Sequence, residues 1–367
     1  SRIVRNGVAV DPWIFFTVAA LLAVGITMVL STSYLYAQER FGDGTYFFRK
    51  QFIAAGIGLA GLFAAALIPP ATYRRCAYPL SGIVLVLLIM LLIPGIGMVR
   101  GGARRWLGIG GFAFQPAELA KLALVLYLAH SLAKKSDKIA TFSIGVLPHL
   151  VVGGLFLGLI VMEPDLGTAV TLGLLLFLML FVAGVKPAHL GLIVLAALPV
   201  VAFTVTGAEY RIRRLMTFMD PWADASKSGF QIIQSYIAFG SGQLWGRGLG
   251  ESRQKLFYLP EAHTDFIFSV IGEEMGLIGA LAVLALFAVI ILRGLGLAGR
   301  IEDPFSQHLA FGLTTLLALQ ALIHMSVVMG LMPTKGLVLP FISYGGSAMV
   351  INLIEAGLLL SLSRGRR

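Results

Sequence analysis

Charge is scarce in this chain. Only 13% of its 367 residues are Asp, Glu, Lys or Arg, against 58% hydrophobic, and the mean hydropathy is +0.89. A soluble protein of this length could not hide that much apolar surface, so the class is integral membrane protein. Cysteine is nearly absent. Cys76 stands alone, which excludes an internal disulfide framework and a thiolate zinc cluster. The phosphate loop ending in Gly-Lys-Ser/Thr and the dinucleotide fingerprint are both missing, and "LGIGGF" is glycine-rich without following a strand. His130, His149, His189, His308 and His324 stand singly, without metal-ligand spacing on a helix, and read as packed or interfacial side chains. A soluble, nucleotide-activated substrate therefore has no visible cradle; an activated substrate would arrive through the lipid. No cleavable leader is evident, and the first apolar run is long enough to stay as an anchor.

Long apolar runs are abundant. They predict an all-α membrane protein of ten transmembrane helices: Trp13–Thr32, Phe52–Pro69, Ala77–Pro94, Pro116–Ala133, Phe142–Met162, Leu166–Gly184, Ala188–Thr206, Phe266–Leu292, Gln307–Met332 and Gly345–Leu362. The chain forms one polytopic domain over 1–367, interrupted by one long outer loop, about residues 207–265, between helices 7 and 8. Forty-three glycines suit helices packed closely in lipid. Arg2 and Arg5 at one end and Arg364, Arg366 and Arg367 at the other place both termini in the cytoplasm. Arg74, Arg75, Lys134, Lys135, Lys138, Lys186, Arg293 and Arg300 in the implied inner loops agree. The outer segments are equally basic, chiefly in "MVRGGARRW" and the long loop. Those cations either hold an anion or pair with local acids and lipid phosphate.

Polar residues at the edges of the spans carry the candidate chemistry. In "YLPEAHTDFIFSVIGEE", Pro260 ends the loop, Thr264 is expected to cap helix 8, and Asp265 falls in its first turn. The plain role for Asp265 is a capping carboxylate; the sharper one is a general base at the outer lip. Glu261 and His263 flank it. In "QPAELAKLAL", Glu118 and Lys121 share one helical face. Lys121 lies inside its span and needs an acidic partner; Asp165, in the tight "MEPDLGTAV" hairpin with Glu163, is the expected one, forming a buried structural pair. "GLMPTKGLVLPFISYGGSAM" presents Lys335 in an irregular outer segment of the kind tolerated where it lines a cavity. Glu273, Glu274, Asn352 and Glu355 are further polar groups within helices.

These stretches, together with "GARRWLGIGGFAFQPAELAKLAL" and "GSGQLWGRGLGESRQKLFYLPEAHTDFIFSVIGEEMGLIG", resemble the SEDS family of bacterial cell-wall synthesis nearly end to end. "SRQKLFYLPEAHTDFIF" and "PTKGL" look like the division branch; elongation members usually carry "PERHTDF" where this chain has Ala262. The resemblance implies an inverting peptidoglycan glycosyltransferase that polymerises lipid II at the outer face of the bacterial inner membrane, at the division septum, without a certain cofactor. It implies a class B penicillin-binding protein as partner, among other divisome membrane proteins, and no nucleic acid. The essential acid of the family's "HTDF" falls on Asp265. Arg104, Arg105, Arg253, Lys255 and Lys335 are then candidates to hold the pyrophosphate, with Glu261 and His263 beside the substrate. A divalent cation, Mg or Mn, is compatible with the leaving-group role, since Glu163 and Asp165 lie on the same side, but nothing in the sequence fixes ligand geometry. A lipid II flippase and a non-catalytic scaffold for the penicillin-binding protein are the competing readings.

Overall fold

The computed structural model describes residues 10–100, 103–109, 112–227, 229–252, 259 and 262–364. Along the chain come α1 (Pro12–Phe41), α2 (Tyr46–Leu67) and α3 (Pro70–Leu92), then strands β1 (Met98–Arg100), β2 (Ala103–Ile109) and β3 (Phe112–Phe114). Next are α4 (Pro116–Lys134), α5 (Leu147–Met162), α6 (Leu166–Val182), α7 (Pro187–Thr206), α8 (Glu209–Met219) and α9 (Phe230–Gly242). The chain closes with α10 (Ile267–Ala298), α11 (Pro304–Val328) and α12 (Gly346–Arg364). Among the described residues, nine helical segments are long and apolar enough to cross a membrane, α5 being counted with the helical turn before it as Phe142–Met162; α6, at 17 residues, is apolar but shorter. The chain is therefore a multi-pass membrane protein.

Local chemistry sets the ends. Asp11 caps α1 by accepting from Trp13 N at 3.0 Å, with Pro12 in the first turn, and Gly42 closes the helix in the left-handed region. Asp303 caps α11 through Ser306 N at 3.0 Å, with Pro304 next. Three helices, α4, α11 and α12, are the most enclosed, whereas α7 buries only Leu190 and turns its remaining side chains outward, as a lipid-facing helix does. The sequence predicts no strand at all, yet 98–114 forms a three-stranded antiparallel sheet in the order β1-β2-β3. Alternation explains it: Ala103 and Leu107 are buried while Arg104 and Gly108 are exposed. The long loop likewise contains two helices, α8 and α9.

Two glycines show how irregular backbone is accommodated. Gly357 of α12 lies against the backbone of Leu62 on α2, where any Cβ would clash, so these helices approach closely. Gly276 interrupts α10 with φ 66° and ψ −166°. The backbone groups freed there pair with residues 243–248: Arg247 N donates to Glu273 O at 2.9 Å, Gly248 N to Glu274 O at 3.0 Å, and Leu277 N to Gln243 O at 2.8 Å. Backbone at membrane depth must find such partners inside the protein. At the break, Ser31 Oγ of α1 donates to Glu274 Oε1 at 2.7 Å, and Ser241 and Ser252 donate to Glu273.

Candidate functional site

Four irregular pieces converge at the end of the bundle where α6, α10 and α12 begin. They are the β1–β3 sheet, the 163–165 turn, the 262–266 turn and the segment 329–345. Asp265 is half-buried there, and its Oδ2 is 3.1 Å from the point a Cβ on Gly336 would occupy. The carboxylate and the backbone of Gly336 are thus in contact, and any larger residue at 336 would press on it.

The turn that carries Asp265 is held from behind. Ser343 Oγ donates to Thr264 O at 2.7 Å and accepts from Leu339 N at 2.9 Å, and Tyr344 N donates to His263 O at 2.9 Å. Gln51 of α2 fixes the same segment, donating to Ser343 O at 3.0 Å and accepting from Gly345 N at 3.2 Å. Phe341 takes φ 65°, a strained setting for a bulky side chain that only an over-determined segment retains. Two expectations are corrected here. Thr264 does not cap helix 8: α10 starts at Ile267, its N-cap is Phe266, and no side chain caps it. Asp265 accordingly sits in the turn before the helix. His263 does not line an open groove; it is buried among Phe47, Tyr344 and Tyr36, with ring centroids at 4.7, 5.6 and 5.7 Å.

Cations and acids form the adjoining wall. Lys335, half-buried, lays its Cβ near Gly167 in the first turn of α6, and burial pulls its pKa below the ordinary lysine value. Arg105 is committed to the 163–165 turn: its Nε donates to Glu163 O at 2.9 Å and its Nη2 to Pro164 O. Arg104 is exposed on the same strand, and Arg214 of α8 reaches Thr334 O at 3.3 Å. Glu163, which the sequence offered only as a neighbour of Asp165, is 1% exposed with no hydrogen-bond partner for either carboxylate oxygen. Burial pushes its pKa up to about 8; the charge of Asp165 adds to the rise and Arg105 opposes it.

The expected Lys121–Asp165 pair does not form. Asp165 caps α6, accepting from Thr168 N at 3.1 Å and Thr168 Oγ1 at 3.0 Å. Lys121, 1% exposed, pairs instead with Glu118 Oε2 at 2.7 Å on its own helix face and donates to Gln320 Oε1 at 2.6 Å. A local i, i+3 acid outcompetes one across the bundle because no chain rearrangement is needed to reach it. Arg253, Lys255 and Glu261, expected beside the substrate, lie outside the described residues. Among the described residues, no group of three or more His, Cys, Asp or Glu is placed to hold a metal ion. Sequence reasoning missed Gly336, Ser343 and Gln51. The quoted "PTKGLVLPFISYGGS" contains the first two; for Gln51 no local signal existed.

The family of cell cycle proteins that comprises FtsW, RodA and SpoVE matches residues 12–367. A probable peptidoglycan glycosyltransferase FtsW of Geobacter sulfurreducens is 47% identical over 353 residues, which cover 96% of this chain and 95% of that one. Stage V sporulation protein E of Bacillus subtilis is 42% identical, with 95% of each chain covered. Among solved structures, one from work on coordinated polymerization and crosslinking by a peptidoglycan synthase complex superposes with a TM-score of 0.79 at 29% identity, over 98% of this chain and 99% of that one. The rod shape determining protein RodA of Thermus thermophilus gives 0.74 at 30% identity, with 99% of each chain covered.

Proposed function

The chain belongs to the SEDS family of FtsW, RodA and SpoVE cell cycle proteins, and we propose that Asp265 is the base with which it polymerises lipid II as a peptidoglycan glycosyltransferase of cell division. In this reading α6 also spans, giving ten crossings, with both termini in the cytoplasm and Asp265 on the outer face. The protein then works at the septum of the inner membrane, beside a class B penicillin-binding protein that cross-links the product.

The chemistry follows from what the step demands. The donor is an α-linked sugar pyrophosphate on a polyprenol, and the product is β-linked, so the anomeric carbon inverts. The 4-hydroxyl of the acceptor GlcNAc attacks C1. The C1–O bond to phosphate breaks, and undecaprenyl pyrophosphate leaves with the electron pair. Asp265 takes the hydroxyl proton, a contribution of roughly 10²–10⁴-fold for a positioned base. Lys335, Arg104 and Arg105 lie on the leaving-group side. Burial disfavours the Lys335 ammonium, so a pyrophosphate beside it stabilises the lysine as the lysine stabilises it. Arg105 acts partly by shape, because its guanidinium braces the turn that holds Glu163. A divalent cation sharing this role would have to draw ligands from the substrate as well as the protein.

The observation that carries this reading is the half-buried Asp265 held against Gly336, one residue from Lys335, by a turn fixed through Ser343 and Tyr344. A lipid II flippase is the second reading. The broken α10, with Glu273 and Glu274 buried at the break, is a feature transporters use. Purified protein with its cross-linking partner and labelled lipid II separates the two. Strands from the wild type and none from Asp265→Ala support polymerisation by this residue. Strands from both remove Asp265 as base. Strands from neither, with lipid flipping retained, favour transport.

A further inference from the structure

Beneath segment 329–345 lies a second polar cluster that the proposed chemistry leaves unused. Glu118 and Lys121 come from α4, Gln320 and His324 from α11, and Asn352 and Glu355 from α12. All are buried, Glu355 completely at 0% exposure. The single ammonium of Lys121 is already spent: it lies 2.7 Å from Glu118 Oε2 and donates to Gln320 Oε1 at 2.6 Å. Neither oxygen of Glu355 has a hydrogen-bond partner, nor has Oδ1 of Asn352 one turn before it. Glu118 Oε2 touches the ammonium without hydrogen-bond alignment and is unsatisfied in the same sense.

The charges do not balance. Glu355 is within electrostatic range of both Lys121 and Glu118. Two carboxylates therefore share one ammonium in a packed helical interior, where an uncompensated charge is among the most costly features a fold can contain. The unsatisfied atoms of Glu118, Asn352 and Glu355 are all oxygens, which suits a hard cation rather than a thiophilic one, while Gln320 Nε2 and His324 Nε2 are also without a hydrogen-bond partner. One positive charge closes the balance, and two would overshoot it. A divalent ion would also demand six or more oxygens and repel the ammonium beside it. We propose that this pocket holds one monovalent cation, a proton or a sodium ion, among Glu355, Asn352 and Glu118.

The surroundings supply no competing counter-charge. The titratable groups in electrostatic range of Glu355 are Glu118 and Lys121 on α4, and His324 lies one turn beyond Gln320 on α11. Nδ1 of His324 is occupied by Leu337 O at 2.6 Å. Along its other side α12 meets α2 at Gly58 and Leu62. Asp11, before α1, donates its backbone N–H to Ser363, two turns further along α12. At the opposite end of α12, Ser347 meets β3 at Ala113 O. The His324–Leu337 bond ties α11, which also carries Gln320, to the segment that holds Gly336 against Asp265.

The test uses the full chain in nanodiscs. Its unfolding midpoint is followed while sodium chloride replaces choline chloride at constant ionic strength, and separately while pH is raised from 5 to 9. A bound sodium ion predicts a midpoint that climbs with sodium by about 2–4 °C or more. A bound proton predicts a midpoint indifferent to sodium that falls as pH rises. Glu355→Gln, which keeps the shape and removes the charge, abolishes the sodium dependence in the first case; in the second it abolishes the pH dependence that remains in a Glu163→Gln background, since Glu163 also contributes a decline with pH. As a second measurement on the unmutated protein, dicyclohexylcarbodiimide should label Glu355, as read by peptide mass, because it attacks protonated carboxyls in apolar settings; sodium protects only in the first case. In the Glu163→Gln background, midpoints flat in both titrations with Glu355 unlabelled, or a dependence that survives Glu355→Gln, would overturn the proposal and leave ordered water as the occupant.

Discussion

Asp265 and Glu355 are both carboxylates in a chain with few charges, and their surroundings differ at every level. Asp265 is half-buried in a turn, against a glycine, with its backbone neighbours fixed by Ser343 and Tyr344. Glu355 is fully enclosed on a helix, its carboxylate oxygens unpartnered, across from a lysine that already serves Glu118. A group at the rim can lose and regain a proton with each substrate. A group in the core can only settle a charge account inside the fold. Position relative to irregular backbone, rather than residue type, separates chemistry from architecture here.

The strongest way to break that contrast is to remove the rim carboxylate. Asp265→Ala should lower lipid II polymerisation by about 10²–10⁴-fold or more while the unfolding midpoint stays near wild type; a variant that still makes strands at the normal rate would void the distinction. Removing the core cation should do the reverse. Lys121→Met leaves Glu118 and Glu355 without their shared ammonium and should cost about 3–5 kcal/mol of stability, read as a lost or sharply lowered thermal transition. A stable Lys121→Met protein would show the pair to be dispensable.

Smaller effects sharpen the comparison. Ser343→Ala deletes the hydroxyl that joins Thr264 O to Leu339 N and should cost about 1–3 kcal/mol. Turnover should fall more than apparent substrate affinity, because the turn loses its seat rather than its ligands; steady-state polymerisation rates against lipid II concentration would reveal the split. Glu163 offers a pH test. Its pKa rises from 4.5 to about 8 on burial, so the folded protein keeps a proton that the unfolded chain has lost between those values. Its contribution is therefore complete below about pH 4.5 and fades as pH climbs to about 8. Glu163→Gln should flatten that decline in the unfolding midpoint, and an unchanged slope would remove Glu163 as its source.

Much of this was legible in advance. Hydropathy located the membrane segments, and the expected start of the first span at Trp13 falls one residue from the start of α1 at Pro12. The four quoted motifs hold Asp265, Lys335, Arg105 and Lys121. The errors lie where a partner came from a distant element or where backbone departed from a helix. The β1–β3 sheet was missed because its runs are short. The Lys121–Asp165 pair failed because two nearer groups, Glu118 and Thr168, satisfy the two side chains locally. The three aromatic rings that enclose His263 come from distant elements and have no local signal in the sequence.

Sequence alone determined that this is a multi-pass membrane protein with its polar motifs gathered at the ends of spans, since apolar length and charge placement are one-dimensional properties that the bilayer reads directly. Tertiary structure decided which acid meets which cation, where Asp265 rests, and that Glu355 is left without a partner. Those outcomes depend on contacts between residues hundreds of positions apart, and such contacts exist only once the helices have packed.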